Sequence, residues 1–368
     1  MYGDDFVVDL VKVFAVGVFA VLLASALTPS LTSFLFKNKL WKKKNKAISI
    51  DGKEARYFNK FHSEKETKVP RIGGLLIWCS VSFLALLLFF LSNLFDFFWI
   101  EKFDFLSRDQ TWLPLFTLIS ASLVCLSDDL LQIVRNPRNI FLRKIWRRAE
   151  DGLGEGLGLR YRIILVTVIG LIGAWWFYFR LGQESIYLPF LEEVSLGVFY
   201  IPFFIIVMVA IYSGGVIDGI DGLAGGVFIS IFSAYTIISF LQGQLNLAAF
   251  CIAIVGSVLV FLWFNIPPAR FYMGETGIIG LTTTVTVVAF LTGAVFVLPI
   301  IAFPLIITSL SVIIQLLSKK FRGKKVFLAA PLHHHLEAIG WPQHKITMRF
   351  WVVSALMGIV GVLIHLLL

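Results

Sequence analysis

Three consecutive histidines, His333, His334 and His335, are the most unusual group of titratable side chains in this sequence. They make up half of its six histidines and lie in a polar loop that follows the basic run at 319–325. Successive side chains point in different directions, so the triplet suits zinc less well than two histidines four residues apart. Imidazole and ammonium groups both donate hydrogen bonds to phosphate oxygens. The loop is therefore a candidate diphosphate site, with a plain polar surface loop as the alternative.

Two adjacent aspartates, Asp128 and Asp129, end a long apolar run. A helix C-terminus already carries partial negative charge, so two carboxylates there need a compensating cation. Adjacent helical positions point about 100° apart, and we therefore expect the two carboxylates to serve different partners. A metal or a substrate phosphate would suit one, and a basic side chain the other. One of them is also a candidate general base, and a solvated helix end is the alternative interpretation.

A second acidic pair, Asp218 and Asp221, lies in the glycine-rich segment 214–226. Their spacing predicts that both carboxylates lie on one face of a helix. Glycines there would let a ligand or another helix approach closely. Small-residue helix packing explains the glycines but does not explain two acids in an apolar context, so the pair indicates function.

The segment 264–277 combines an amide, an aromatic ring and a carboxylate in Asn265, Tyr272 and Glu275. Hard cations such as Mg²⁺ prefer carboxylate and phosphate oxygens. Glu275 together with Asp128 or Asp129 is therefore a candidate metal site. A proline-containing turn between two helices is the alternative.

The elements that must position these residues are membrane-spanning helices. Hydrophobic residues make up 58% of the chain and charged residues 15%, against about 25% charged residues in soluble domains. A helix needs roughly 20 apolar residues to cross a bilayer. The sequence thus predicts an all-α integral membrane protein with about ten transmembrane helices in one polytopic domain, 1–368. The predicted segments lie near 13–36, 72–95, 111–127, 163–179, 194–213, 222–241, 245–264, 277–298, 299–318 and 350–368.

Two long apolar stretches are divided at turn residues. Gln242-Gly243-Gln244 predicts a turn between the sixth and seventh segments. Pro299 separates the eighth from the ninth, and Pro304 is expected to kink or break the ninth.

Charged loops set the expected orientation. Lysine and arginine residues are concentrated after segments one, three and nine, whereas the loop at 181–197 is acidic, so both termini are predicted to lie outside. The four polar clusters described above and a fifth, the segment 65–71 before the second span, then share the cytoplasmic face. The net charge of +9 comes from basic residues beside apolar segments, where they attract anionic lipid or phosphate, and no nucleic-acid partner is expected.

Several motifs together resemble a known superfamily over most of the chain. The most discriminating is 331–337, Pro-Leu-His-His-His-Leu-Glu, followed by Gly-Trp-Pro at 340–342 and Arg-Phe-Trp at 349–351. The supporting motifs are Pro70-Arg71-Ile72-Gly73-Gly74, Asp128-Asp129, 218–224 and 264–275. The pattern resembles the polyprenyl-phosphate N-acetylhexosamine-1-phosphate transferase superfamily, and it is more similar to the phospho-N-acetylmuramoyl-pentapeptide transferase branch than to the N-acetylglucosamine branch.

The resemblance implies a ten-helix, often dimeric enzyme of the bacterial inner membrane with a cytoplasmic active site. The implied reaction moves phospho-MurNAc-pentapeptide from its UDP carrier to undecaprenyl phosphate, which releases UMP and makes lipid I. Mg²⁺ is the expected cofactor, and membrane lipid and a second copy of the chain are expected partners. Because two anions react, a metal ion and cationic groups must offset their repulsion.

The resemblance also assigns roles to residues. Asp128 or Asp129 would deprotonate or orient the lipid phosphate, and Glu275 matches the metal-ligand position. The matches to positions that contact the uridine are Asn265, Tyr272 and Asp221. The matches to positions lining the nucleotide and diphosphate region are Asp218, His333, His334 and His335. An upstream lysine is matched by Lys65 or by Lys68.

The chain also departs from the family pattern. Glu275 replaces the usual aspartate, and Gln132 replaces a lysine that commonly follows the aspartate pair. Gly215 removes an amide contact, while Val69 and Arg71 replace threonines around the proline. These changes indicate a divergent branch.

Two rival functions are weighed against this one. The first is a UDP-GlcNAc:polyprenyl-phosphate GlcNAc-1-phosphate transferase, which keeps the chemistry and changes the sugar. The second is an ion-coupled transporter, because intramembrane carboxylates can carry ions. The transporter reading is weakened by the gathering of the polar groups on one face, which leaves no evident relay to the other.

Overall fold

The computed structural model describes residues 4–41, 68–107, 110–133, 157–188 and 192–367. Within these ranges the chain forms thirteen α-helices and one antiparallel pair of strands. The helices are α1 (Asp4–Lys37), α2 (Leu75–Leu94), α3 (Phe98–Phe103), α4 (Trp112–Ile133), α5 (Leu159–Trp175), α6 (Tyr200–Ser213), α7 (Leu223–Leu241), α8 (Leu245–Asn265), α9 (Gly274–Leu291), α10 (Leu298–Ile301), α11 (Phe303–Arg322), α12 (Leu332–Ala338) and α13 (Gln343–Leu367). The strands are β1 (Ser185–Leu188) and β2 (Glu192–Ser195).

Ten of the described helices are long and apolar enough to cross a membrane, which confirms the predicted membrane class. The strands add a short hairpin between α5 and α6, with Ser185 opposite Ser195. Two helices begin well before their predicted starts: α1 begins at Asp4 and not near 13, and α13 begins at Gln343 and not near 350. Lys345 and Arg349, in its first two turns, stack on one indole ring. This stacking accommodates their charge at the helix start.

The centre of the bundle is α9, which packs mainly against α4, while α7 and α8 pack against each other beside it. Buried residues make up 89% of α9 but only 22% of the most apolar stretch of α13, which faces outward. Four threonines of α9, at 282, 283, 284 and 286, satisfy their hydroxyl groups within the helix. Thr282 Oγ1 donates to Ile278 O at 2.8 Å, and Thr283 Oγ1 donates to Ile279 O at 2.7 Å. Polar side chains can therefore be buried here at little cost.

The predicted breaks between segments are observed, with one shifted boundary. A turn separates α7 from α8 at Gln242–Gln244, and Gly243 has a φ of +72°. The ninth segment breaks as predicted, because Ala302 separates α10 from α11 and Pro304 lies in the first turn of α11, where no backbone donor is needed. The eighth segment ends at Leu291 and not at 298, since Gly293 leaves the helical conformation with a φ of +62°.

Both described termini lie at the same end of the bundle, as ten crossings require. Near the N-terminus, Lys12 Nζ donates to Asn246 Oδ1 at 2.6 Å and to Asp104 O at 3.0 Å. Near the C-terminus, Gln242 Nε2 lies 3.0 Å from His365 Nε2. We call the part of the bundle held by these five residues the far end, because the acidic motifs lie at the opposite end.

Candidate active site

At this opposite end, the site end, the segment 70–74 runs alongside the segment 272–274. Three backbone hydrogen bonds of 2.7 to 2.8 Å join them. A Cβ on Gly74 would lie 2.5 Å from the Cα of Gly277, so glycine permits this approach. The start of α2 is thereby fixed against the start of α9.

Asp129 caps the first turn of α9. Its Oδ1 accepts the N–H of Glu275 at 3.1 Å, and its Oδ2 accepts the N–H of Thr276 at 2.8 Å. The carboxylate thus satisfies two donors that have no partner inside the helix, at its positive end. Gly274, which precedes them, has a φ of +72°, and a Cβ there would lie 2.8 Å from Asp129 Oδ2. Asp129 therefore joins the end of α4 to the beginning of α9.

Asp128 points to a different partner, as the offset between adjacent residues predicts. Its Oδ2 lies 2.9 Å from Arg162 Nη2, and its Oδ1 accepts the N–H of Leu157 at 2.5 Å. Arg162 Nη1 in turn lies 2.5 Å from Glu275 Oε1. One guanidinium therefore bridges two carboxylates that come from α4 and α9. The prediction of a basic partner for one member of the aspartate pair is confirmed.

Arg162 itself was not among the predicted site residues. It lies in the first turn of α5, at the end of a span, where a cation would ordinarily be assigned to topology alone. The available signal was the need of the aspartate pair for a cation at the same membrane boundary. Its side chain is 19% exposed, so the bridge is partly shielded from solvent.

The donor set of Asp128 and Glu275 fits a hard divalent cation. Two carboxylates from separate helices already face one cationic group. Mg²⁺ is commonly held by one or two carboxylates, with water and substrate phosphate completing its coordination. Among the described residues, no group of three or more His, Cys, Asp or Glu side chains could hold a metal ion. The arrangement therefore fits a cation shared with a substrate and not an all-protein cage.

Asp218 and Asp221 lie in a turn, so the prediction that they share a helical face is wrong. The preceding 3₁₀ turn ends at Ile217, and Gly222 adopts a φ of +77° before α7 begins. Asp221 Oδ2 accepts the N–H of Ala269 at 3.2 Å. The turn forms because its polar groups bond to neighbouring segments and the glycine interrupts helical geometry.

Asn265 ties this turn to the aromatic loop that follows α8. Its Oδ1 accepts the N–H of Gly222 at 3.0 Å, and its Nδ2 donates to Phe271 O at 2.8 Å. The side chain is buried, and both ends of the amide are engaged. Tyr272, the next predicted residue, is half-buried where this loop meets the segment 70–74. Asn265 thus holds two predicted binding segments together.

Asp218 is half-buried, and burial raises its pKa from 3.8 to about 7. The guanidinium of Arg71 opposes this shift, whereas the negative charge of Glu275 adds to it. Arg71 is thus a second cationic site residue that was not predicted. The signal was visible in the sequence as the replacement of a family threonine.

The three histidines lie on α12, a short helix, and not in an irregular loop. His333 is fully buried and His334 is 9% exposed. A Cβ on Gly219 would lie 2.4 Å from His333 Nε2 and 2.8 Å from His334 Nε2, so both rings face the acidic turn. His335 faces elsewhere, since its Nδ1 accepts the N–H of Leu328 at 3.3 Å. The site therefore receives two of the three predicted histidines.

The structure thus brings together most of the predicted site. The residues that meet at the site end are Asp128, Asp129, Asp218, Asp221, Asn265, Tyr272, Glu275, His333 and His334. Lys65 lies outside the described residues, and Lys68 is exposed.

Sequence comparisons match the part of the chain that carries this site. Residues 111–293 match the family model described as glycosyl transferase family 4. This range contains α4 through α9 and therefore all of the acidic residues of the site.

The similar proteins define the family more narrowly. A phospho-N-acetylmuramoyl-pentapeptide-transferase of Geobacillus sp. (strain WCH70) is 34% identical over 82% of this chain and 85% of its own length. The protein of the same name from Clostridium perfringens is 34% identical over 67% of this chain and 73% of its own. That of Bartonella quintana is 29% identical over 92% of this chain and 91% of its own. The chain belongs to the phospho-N-acetylmuramoyl-pentapeptide transferase family.

Proposed function

We propose that this protein transfers phospho-MurNAc-pentapeptide from UDP-MurNAc-pentapeptide to undecaprenyl phosphate, which yields lipid I and UMP. The observation that carries the proposal is the pair of carboxylates, Asp128 and Glu275, held around one cationic position at the site end of a membrane bundle. The names of the relatives favour the muramoyl substrate over the N-acetylglucosamine substrate.

The reaction joins two anionic phosphates. An oxygen of the lipid phosphate attacks the sugar-linked phosphorus of the diphosphate, a new P–O bond forms, and the P–O bond to UMP breaks. Electrostatic repulsion is the main obstacle, because negative charge accumulates on both reactants. The cationic side chains of Arg71 and Arg162 at the site end offset part of this charge.

Asp128 is the better candidate for the residue that accepts a proton from, or orients, the lipid phosphate. Both oxygens of Asp129 are occupied by backbone N–H groups of α9. Asp128 Oδ2 instead faces a side chain, Arg162, which can move to admit a ligand. We therefore assign Asp129 to the positioning of α9 and Asp128 to contact with the reacting groups.

Mg²⁺ is the cofactor that this donor set supports best. Asp128 and Glu275 would hold it, and when bound it would supply positive charge to the diphosphate oxygens. The buried rings of His333 and His334 would line the site beside the acidic turn, and Asp221, Asn265 and Tyr272 would line the part that takes the uridine.

We place the site on the cytoplasmic face of the bacterial inner membrane. The basic residues in the last turn of α11, Lys319, Lys320 and Arg322, lie at the site end, and such residues concentrate on the cytoplasmic side. The family resemblance further supports a homodimer, which the mass of the protein in lipid nanodiscs would test. The same resemblance favours undecaprenyl phosphate as the lipid acceptor.

A release assay tests the proposed function. Purified protein in nanodiscs would be supplied with undecaprenyl phosphate, Mg²⁺ and either UDP-MurNAc-pentapeptide or UDP-GlcNAc, and UMP would be measured. We expect release with the muramoyl substrate, loss of release with EDTA, and loss in Asp128→Asn. Release with UDP-GlcNAc alone would reject the muramoyl assignment, and ion flux in proteoliposomes without UMP formation would support a transporter.

A further inference from the structure

A buried carboxylate lies directly behind one of the two histidines that face the acidic turn. Glu337 is 6% exposed, and its Oε2 lies 2.6 Å from His334 Nδ1. Both residues lie on α12, three positions apart, on the same face of the helix. An ionised carboxylate is seldom buried without a partner, and here the partner is an imidazole.

The two nitrogens of His334 face different surroundings. Nδ1 faces Glu337, whereas Nε2 faces Gly219 in the turn that carries Asp218 and Asp221. When one imidazole nitrogen bonds to a carboxylate, the carboxylate fixes the ring orientation and the tautomer. Nδ1 therefore carries a proton, and the state of Nε2 is decided by what lies in the site.

The carboxylate of Glu337 is itself held from its other side. Gln343 Nε2 donates to Glu337 Oε1 at 2.8 Å. Gln343 is the first residue of α13, so this bond ties α12 to the helix that follows. The indole ring of Trp341, between these helices, lies 4.9 Å from Lys345 Nζ and 4.4 Å from Arg349 Cζ. The support behind His334 is therefore built into the junction of two helices.

We propose that Glu337 is a positioning residue, which holds the imidazole of His334 with Nε2 toward the acidic turn so that it donates a hydrogen bond to a phosphate oxygen of the nucleotide. This inference rests on the proposed function for the identity of the nucleotide. It adds to that function a residue that does not touch substrate and acts through the histidine. A neighbouring negative charge stabilises the protonated imidazole, which is the form that can donate from both nitrogens.

The first experiment observes the histidine itself and needs no turnover. In protein labelled with ¹⁵N-histidine, the His334 signals would be assigned by their loss in His334→Gln. At one fixed pH we expect a proton-bearing, hydrogen-bonded Nδ1 in the wild type and in Glu337→Asp, and a mixture of tautomers in Glu337→Gln. Identical His334 spectra in the wild type and in Glu337→Gln would overturn the proposal.

The second experiment measures binding of UMP by calorimetry, with melting curves to show that each variant is folded. Glu337→Gln and His334→Gln should each weaken binding about tenfold, as expected for one lost charge-assisted hydrogen bond. The double variant should bind no more weakly than His334→Gln, and Glu337→Asp should recover part of the affinity. The matched control is His344→Gln, because His344 is exposed at the start of α13.

The outcomes separate this inference from the proposed function. Wild-type affinity for UMP in Glu337→Gln, or additive losses in the double variant, would reject the positioning role even if the enzyme releases UMP. If the wild type released no UMP from any nucleotide sugar, the proposed function would fail. The ¹⁵N spectra would still decide whether Glu337 fixes His334.

Discussion

The far end and the site end of the bundle both bury polar side chains, but they treat charge differently. At the far end, the cationic Lys12 is bound by the amide oxygen of Asn246 and the backbone oxygen of Asp104. At the site end, Asp128 and Glu275 share the guanidinium of Arg162. The far end binds one cation through neutral oxygens, with the opposite charges of Asp9 and Asp104 nearby, whereas the site end brings several like charges together around a cation.

This crowding of carboxylates carries an electrostatic cost. Like charges in a partly buried site oppose each other, and removing carboxylates from water is costly. The site end nevertheless gathers four acidic residues near two arginines, namely Asp128, Asp129, Asp218 and Glu275 near Arg71 and Arg162. In this bundle, hydrogen bonds from a buried cation to neutral oxygens serve to pack helices together. An excess of carboxylates, by contrast, indicates the place where a cation and an anionic substrate bind.

The largest expected effect comes from removing one carboxylate of the bridged pair. Asp128→Asn and Glu275→Gln should each lower turnover by at least about a hundredfold, because each removes a negative charge that is needed to bind the metal ion or to accept a proton. Steady-state UMP release is the measurement. The far-end control is Lys12→Met, which should lower the melting temperature and leave turnover within about twofold, since it breaks hydrogen bonds used for packing. Wild-type turnover in both site variants would show that the carboxylates of the site end are no more important for catalysis than Lys12 at the far end.

A smaller effect is expected from Arg162, which shields the two carboxylates from each other. Arg162→Met should lower turnover by about tenfold or more and lower the melting temperature, because an unpaired carboxylate at a buried position is destabilising. Arg162→Lys should retain more of both properties, since it keeps the charge and loses the forked geometry. Melting curves and UMP release on the same preparations would check this. A variant Arg162→Met that melts and turns over like the wild type would show that the bridge is dispensable.

The fold was predictable from sequence to a large extent because the length of an apolar run is a local property. The ten spans, the turn at Gln242–Gln244 and the break near Pro304 all follow from such runs and their interruptions. The bridge formed by Arg162 is not local, since it joins Glu275 across 113 positions. A pattern within one segment does not specify which loops meet at that distance.

The conformation of the acidic turn and the orientation of the histidines were harder to predict, because they too depend on contacts between distant parts of the chain. Spacing alone suggested a helical face for Asp218 and Asp221, but bonds to other segments override that preference. The spacing of the triplet predicted that successive histidines point in different directions, but which of them face the acidic turn depends on how α12 packs against that turn. Local pattern thus identified the residue types, and tertiary contact decided their roles.

The next test compares a histidine that faces the acidic turn, His334, with one that faces away from it, His335. His334→Gln should raise the KM for the nucleotide substrate about tenfold, whereas His335→Gln should change it by about twofold or less, because His335 lies against the segment that contains Leu328. Nucleotide saturation curves for the two variants would check this difference. Equal increases in KM would mean that all three histidines belong to the site and that α12 does not divide them.

The smallest expected effect is a dependence of stability on pH at Asp218. Its raised pKa of about 7 means that the folded protein holds this proton after the unfolded chain, with a pKa near 3.8, has lost it. Stability therefore falls as pH rises from about 4 to about 7, and above 7 the folded state carries the full cost of the ionised carboxylate. Asp218→Asn should raise the melting temperature by a few degrees at pH 8 and by less at pH 5, in buffer without divalent cations. Asp104→Asn at the far end is the control, since it should not show the same rise between these two pH values. Equal shifts at pH 5 and pH 8 in Asp218→Asn would mean that the site end does not hold this carboxyl group in its protonated form, and that its crowding of acids is weaker than the geometry indicates.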